Sequence, residues 1–149
     1  MASGAEAVLT AERPLAATVL IVDDEASTCT LCRDVVAESG LRTRVASTTE
    51  HALEILDQFP VDIVITDLKV PGIGGLQLLK RVRENHPHTA VIVLTQYGTI
   101  ESAVEATRLG AADHVTKPFH IPELRSKLDR VVRSLELDQE NRLLREQLR

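Results

Sequence analysis

The sequence has 149 residues, of which 44% are hydrophobic, and a formal net charge of −5 at pH 7. A chain of this length fits one domain with short extensions, and its hydrophobic content suffices for a continuous core. The acidic balance, without any dense run of Lys and Arg, argues against a nucleic-acid surface in this chain. No run approaches the ~18 apolar residues that a membrane helix needs, so we expect no membrane contact.

The first sixteen residues differ in composition from the rest of the chain. They are rich in Ala and include Glu6, Glu12 and Pro14. They lack both the basic start and the apolar stretch of an export signal. We therefore predict that residues 1–16 form a disordered tail and that the protein is cytoplasmic.

Apolar runs and helical repeats alternate along the remaining chain. Short runs rich in Val, Ile and Leu predict strands near residues 18–22, 42–46, 61–66, 90–94 and 113–116. Apolar residues at helical spacing predict helices that begin near residues 25, 49, 76, 99 and 122. Five such units predict an α/β domain whose parallel sheet carries helices on both faces. In sheets of this kind, ligands bind outside the carboxyl ends of the strands.

Four of the five predicted strands end in a residue capable of site chemistry. The pair Asp23 and Asp24 follows the first strand, Asp67 the third, Thr95 the fourth and Lys117 the fifth. Each residue alone has an ordinary explanation, since Asp often caps helices, Thr often ends strands and Lys is usually solvated. Their occurrence at equivalent strand ends indicates a shared site.

The motifs at these strand ends resemble those of response regulator receiver domains. They are D-D-E after the first strand, D-L-K-V-P-G after the third, L-T after the fourth and K-P-F after the fifth. The resemblance covers about residues 18–133, and we assign residues 17–133 to this domain. It implies a flavodoxin-like, doubly wound sheet of five parallel strands in the order 2-1-3-4-5, with five helices. It also implies that Asp67 accepts a phosphoryl group from a sensor histidine kinase, so that the chain is a phospho-accepting switch and not an enzyme.

The same resemblance implies a magnesium site beside the phosphorylated residue. Asp24 and Asp67 are expected to bind Mg²⁺ directly, Asp23 through water, and Lys69 through its backbone carbonyl. Clustered carboxylates repel one another, so a divalent cation and a nearby ammonium favour their ionised forms. Magnesium suits oxygen ligands. Mg²⁺, the catalytic Lys117 ammonium and the catalytic Thr95 hydroxyl are then each expected to contact one phosphoryl oxygen.

Several positions around this site depart from the receiver pattern. The resemblance implies a switch in which Thr95 moves toward the phosphoryl group and an aromatic residue of the fifth strand turns inward. His114 occupies that aromatic position, so it either turns inward or stays half-exposed on an edge strand. Gln96 replaces a residue that is usually small. In the family, the positions of Lys69 and Tyr97 overhang the phosphoryl group, so the resemblance implies that these bulky residues slow its hydrolysis.

The C-terminal residues 134–149 predict a helical coiled-coil linker. The dimerisation seam consists of residues spaced by four, three and four, namely Leu137, Asn141, Leu144 and Leu148. Leu137 and Leu144 take d positions, and Asn141 and Leu148 take a positions, as in a parallel homodimer. A solvated helix end is the alternative.

Two strings resemble sigma-54-dependent transcription activators of the nitrogen-regulator kind. They are the linker string E-N-x-L-L-R-E-x-L and the string Y-G-T-I-E-S-A-V-E-A on the fourth helix. The resemblance implies output ATPase and DNA-binding domains beyond this fragment. A stand-alone receiver and the receiver of a hybrid kinase remain alternatives.

Three other functions fit the sequence less well. Magnesium-dependent phosphatases that form an aspartyl phosphate place a second Asp where this chain has Lys69. A nucleotide-binding module needs glycines after the first strand, where this chain has acids. The spacing of Cys29 and Cys32 can mark a redox pair at a helix N-terminus. Because the helix is predicted to begin near Glu25, we instead expect Cys32 in the core and Cys29 near the surface.

Overall fold

The computed structural model of the chain describes residues 17–96 and 100–148. Its strands are β1 (Thr18–Val22), β2 (Arg42–Ala46), β3 (Ile63–Asp67), β4 (Ala90–Thr95) and β5 (Asp113–Thr116). Its helices are α1 (Ala26–Glu38), α2 (Thr49–Gln58), α3 (Gly75–Asn85), α4 (Ile100–Arg108) and α5 (Ile121–Gln147). All strand pairs are parallel and the order is β2-β1-β3-β4-β5, which confirms the predicted fold.

Two apolar cores cover the two faces of the sheet, because successive side chains of a strand point to opposite sides. Val19 and Ile21 of β1 belong to the core beneath α1 and α5. Leu20 and Val22 belong to the opposite core, beneath α2, α3 and α4. All five residues of β1 and all five of β3 are buried, which explains their continuous apolar runs. The central strands are therefore fixed from both sides and hold the residues at their ends in place.

Local side-chain chemistry sets several boundaries of the elements. The Thr48 hydroxyl accepts a hydrogen bond from the His51 backbone N–H at 3.2 Å and caps α2, as Thr commonly does at helix starts. We predicted that β3 begins at Val61, but it begins at Ile63. The reason is that the Asp62 carboxylate accepts the Thr18 backbone N–H at 2.8 Å, in place of a strand carbonyl.

The loop after β3 folds back closely on the end of that strand. The Gly75 backbone N–H donates to the Leu68 carbonyl at 3.0 Å. A Cβ at Gly75 would lie 2.5 Å from the Leu68 Cα and 2.5 Å from the Asp67 carbonyl oxygen. Glycine is therefore required there, and the close packing positions the loop that follows Asp67.

The last helix extends well beyond the apolar core that its first half covers. Leu124, Leu128, Val131 and Val132 are buried against the core, and the helix then continues without a break to Gln147. The predicted linker is thus a direct continuation of α5 through the residues described. No described helix combines the length and apolarity needed to cross a membrane. The predicted tail over residues 1–16, Tyr97 and Thr99 lie outside the described residues.

Candidate functional site

Four predicted site residues meet at the carboxyl edge of the sheet. Asp23 directly follows β1, Asp67 ends β3, Thr95 ends β4 and Lys117 directly follows β5. All four are buried, with exposed fractions between 1% and 8%. Buried polar residues require partners, so their hydrogen bonds determine the geometry of the site.

The Lys117 ammonium lies at the centre of this group. It donates to Asp23 Oδ2 at 2.8 Å, to Glu25 Oε1 at 2.7 Å and to Asp67 Oδ2 at 3.0 Å. A lysine ammonium has three N–H donors, so each donor has a carboxylate acceptor here. Lys117 therefore links the ends of β1, β3 and β5.

Backbone N–H groups bind the other oxygens of the two buried carboxylates. Asp23 Oδ1 accepts the Glu25 N–H at 2.9 Å, and Asp67 Oδ1 accepts the Lys69 N–H at 3.0 Å. Each buried carboxylate thus has an ammonium on one oxygen and a backbone amide on the other. This arrangement fixes the orientation of both carboxylate planes.

Burial and ion pairing act in opposite directions on the ionisable groups of the site. Burial raises the pKa of Asp23 above its ordinary value, despite the opposing hydrogen bonds from Lys117 and from the Glu25 N–H. The hydrogen bond from Lys117 lowers the pKa of Glu25. Burial alone would lower the pKa of Lys117, but its hydrogen bonds to the three carboxylates outweigh burial and raise it. Lys117 is therefore positively charged at neutral pH.

The composition of the site fits a divalent cation bound by oxygen ligands. Carboxylate oxygens of Asp23, Glu25 and Asp67 lie within 4.8 Å of one another. Three carboxylates and one ammonium carry a net charge of −2, which one Mg²⁺ ion neutralises. Magnesium binds carboxylate oxygens and retains several waters, so two buried acids beside the exposed side chain of Glu25 suit it.

The acids after β1 are placed differently from our prediction in one respect. Asp24, a predicted direct ligand, is exposed and is not one of the three clustered carboxylates among the described residues. Glu25, which we did not predict as a site residue, is one of them. Its only signal in the sequence was its place as the third acid of D-D-E. The Lys69 side chain is exposed, and its backbone N–H contacts Asp67 as described above.

Two residues predicted to take part in switching lie on β4 and β5. The Thr95 hydroxyl is 3.5 Å from the Thr116 hydroxyl, with which it is paired in register. His114 is half-exposed on β5, the edge strand that pairs with β4. Its backbone carbonyl accepts a hydrogen bond from Lys127 Nζ at 2.6 Å. In this structure His114 is therefore half-exposed on an edge strand, which is one of the two predicted locations. Its inward movement on phosphorylation stays a prediction.

The two cysteines have the predicted locations. Cys32 is buried, and burial raises the pKa of its thiol to about 12. Cys29 is half-buried, burial raises its pKa, and its S–H donates to the Asp23 carbonyl at 3.3 Å. A redox pair needs a lowered thiol pKa, so both environments disfavour that function.

The predicted dimerisation residues are all exposed, on the second half of α5 and at the residue that follows it. They are Leu137, Asn141, Leu144 and Leu148. Leu143 is also exposed but lies outside the predicted seam. Apolar side chains exposed at heptad spacing are compatible with a partner helix, and association stays a prediction.

The chain is similar to known proteins along most of its length. The response regulator receiver domain family matches residues 19–129. The response regulator protein FleR of Pseudomonas aeruginosa is 39% identical over 119 residues, which are 80% of this chain and 24% of that protein. The sporulation initiation phosphotransferase F of Bacillus subtilis is 36% identical over 107 residues, which are 72% of this chain and 86% of that protein.

A similar solved structure is that of NtrX from Brucella abortus. It has a TM-score of 0.82 and 32% sequence identity, and the match covers 87% of this chain and 30% of that one. The chain spans about a quarter of the length of the first curated relatives, with 24% for FleR and 28% for the regulatory protein AtoC of Escherichia coli. The similarity to these longer proteins thus concerns one of their domains.

Proposed function

Because the chain belongs to the response regulator receiver domain family, we propose that Asp67 accepts a phosphoryl group from a sensor histidine kinase. The observation that carries the proposal is the buried Asp67 carboxylate, held between the Lys117 ammonium and a backbone N–H at the end of a central strand. A histidine kinase obtains its phosphoryl group from ATP, which places this step in the cytoplasm. The domain acts as a phospho-accepting switch, and no substrate other than the phosphoryl donor is required.

The transfer uses the Asp67 carboxylate as a nucleophile. One carboxylate oxygen forms the new O–P bond while the N–P bond of the phosphohistidine breaks, and the histidine is the leaving group. Phosphoryl transfer needs mainly in-line positioning and neutralisation of the oxygens of the transferred group. Lys117 supplies a positive charge beside Asp67, and the Thr95 hydroxyl at the next strand end supplies a hydrogen-bond donor.

We infer that the acidic residues of this site hold Mg²⁺. Asp23, Asp24, Asp67 and the Lys69 carbonyl are the proposed ligands. When bound, the ion neutralises negative charge on the phosphoryl group. The net charge of −2 on the three clustered carboxylates and Lys117 supports a divalent ion.

Intact-protein mass spectrometry tests the proposal. Incubation with acetyl phosphate and Mg²⁺ should add one phosphoryl group to the parent chain, and a chelator should prevent it. Asp67→Asn should remain unlabelled. Asp57→Asn, which changes an exposed acid on α2, is the matched control and should be labelled like the parent. Full labelling of Asp67→Asn, or labelling that a chelator does not affect, would contradict the assignment.

The output is proposed to be an ATPase and a DNA-binding domain of a sigma-54-dependent transcription activator. The continuation of α5 beyond the core supports this context, and so does the greater length of relatives such as FleR, of which the match covers 24%. The match to 86% of the sporulation phosphotransferase supports a stand-alone receiver as the second candidate. The coding sequence downstream of Arg149 distinguishes them, because an ATPase requires a G-x-x-x-x-G-K motif there.

We also propose a parallel homodimer through the exposed part of α5. The seam of Leu137, Asn141, Leu144 and Leu148 aligns Asn141 with its own copy only in a parallel pair. Glu140 and Arg145 then occupy g and e positions, where opposite charges meet across the two helices. Exposed ion pairs contribute only ~0–1 kcal/mol each, so the leucines must provide most of the association.

A further inference from the structure

Glu25 is the part of the site that the proposed transfer does not use. It precedes α1, and its carboxylate accepts the shortest of the three hydrogen bonds from Lys117, at 2.7 Å. Its side chain does not cap the helix. Its position is therefore explained by the contact with Lys117 and, at 3.5 Å, by one with the Thr28 hydroxyl.

The donors of Lys117 are fully occupied in this structure. Its three N–H groups are directed at Asp23, Glu25 and Asp67. An oxygen of the approaching phosphoryl group can therefore gain a hydrogen bond from Lys117 only if one of these acceptors gives one up. The acceptor that loses its hydrogen bond at the lowest cost in free energy should release Lys117 first.

Exposure distinguishes the three acceptors. The side chains of Asp23 and Asp67 are 0% and 5% exposed, whereas that of Glu25 is 56% exposed. Leaving a buried carboxylate without its cation is costly, because water cannot replace the lost partner. Asp67 is still a carboxylate while the phosphoryl donor approaches, so the cost applies to Asp23 and Asp67 alike at the start of the transfer. Water can hydrate Glu25 as soon as Lys117 leaves. Glu25 is therefore the acceptor that exchanges most readily.

We propose that Glu25 is a positioning residue that holds the third donor of Lys117 in the unphosphorylated state and releases it to the phosphoryl oxygen. This inference rests on the proposed function, because it concerns the same Lys117 and Asp67. Glu25 then opposes phosphorylation by competing for Lys117. A half-exposed ion pair has a small effect, so its removal should increase the rate of phosphorylation by ~2–5-fold.

Glu25→Gln tests the inference with little structural change, because it keeps the side-chain length and an acceptor for Thr28. Its rate constant with acetyl phosphate should exceed that of the parent by ~2–5-fold when both proteins are saturated with Mg²⁺. Asp34→Asn, an exposed acid further along α1, is the control for loss of one negative charge.

Nuclear magnetic resonance of the Lys117 ammonium provides a readout that a merely structural role would not change. Hydrogen exchange of this ammonium should be faster in Glu25→Gln than in the parent without a ligand. The two proteins should exchange equally when beryllofluoride, a phosphoryl mimic, is bound. A difference that persists with beryllofluoride, or an unchanged phosphorylation rate at saturating Mg²⁺, would overturn the inference. A parent chain that acetyl phosphate does not label would instead refute the proposed function itself.

Discussion

Replacement of Lys117 by Met should destabilise the domain strongly and in a pH-dependent manner. Methionine has a similar length but no charge, so Asp23 and Asp67 lose their shared ammonium and each keeps one backbone N–H. Removal of one partner from a buried ion pair costs ~3–5 kcal/mol. Protonation of the carboxylates relieves part of this cost, and we expect a loss of ~3 kcal/mol near neutral pH. A domain with a total stability of ~5–15 kcal/mol remains folded after such a loss.

The pH dependence of this loss in stability arises from Asp23, whose pKa burial already raises above its ordinary value in the parent. Without Lys117 the pKa rises further, and a carboxyl group with a raised pKa loses its contribution to folding as the pH increases through that value. The difference in unfolding free energy between Lys117→Met and the parent should therefore grow from about pH 4.5 to about pH 7.5. Added Mg²⁺ should restore part of the stability that Lys117→Met loses.

Urea unfolding followed by circular dichroism measures these differences. Lys127→Met is the matched control, since Lys127 contacts a backbone carbonyl and partly exposed acids and should cost only ~1 kcal/mol. If Lys117→Met and Lys127→Met lose equal stability, or if the Lys117→Met loss is the same at both pH values, the reasoning about buried carboxylates is wrong.

Three further predictions concern other parts of the chain. A thiol reagent should label Cys29 faster than Cys32 in the folded protein and both equally in urea; equal rates in the folded state would contradict the burial of Cys32. His114 should become protected from a soluble paramagnetic agent when beryllofluoride binds, and unchanged line broadening would mean that the ring stays outside. Leu137→Asp combined with Leu144→Asp should give monomers in analytical ultracentrifugation without loss of folding, because both leucines are exposed. A variant that dimerises as tightly as the parent would place any dimer contact elsewhere.

The fold was predictable because its physical causes are local and periodic. Buried parallel strands such as β1 appear as continuous apolar runs, and β1, β2 and β5 have the predicted bounds. The strand order followed from the family resemblance, since periodicity alone does not fix it. The start of β3 was misplaced because it depends on one contact between the Asp62 carboxylate and Thr18. Hydropathy carries no information about such a contact.

The sequence predicts those residues of the site whose positions depend only on where the strands end. Asp23, Asp67, Thr95 and Lys117 converge because each ends or follows a strand of one parallel sheet. Glu25 was missed because its contact with Lys117 depends on the turn after β1 and on the reach of a flexible side chain. Neither property can be derived from the spacing of residues.

Localisation of the phosphoryl group tests the central claim most directly. Borohydride reduces an aspartyl phosphate to homoserine, which marks the modified residue permanently for peptide mass spectrometry. After treatment of the chain with acetyl phosphate and Mg²⁺, we predict homoserine at Asp67 alone, in an amount that matches the phosphorylated fraction of the intact protein. Homoserine at Asp23 or Asp24, or phosphorylated protein that yields none at Asp67, would contradict the account.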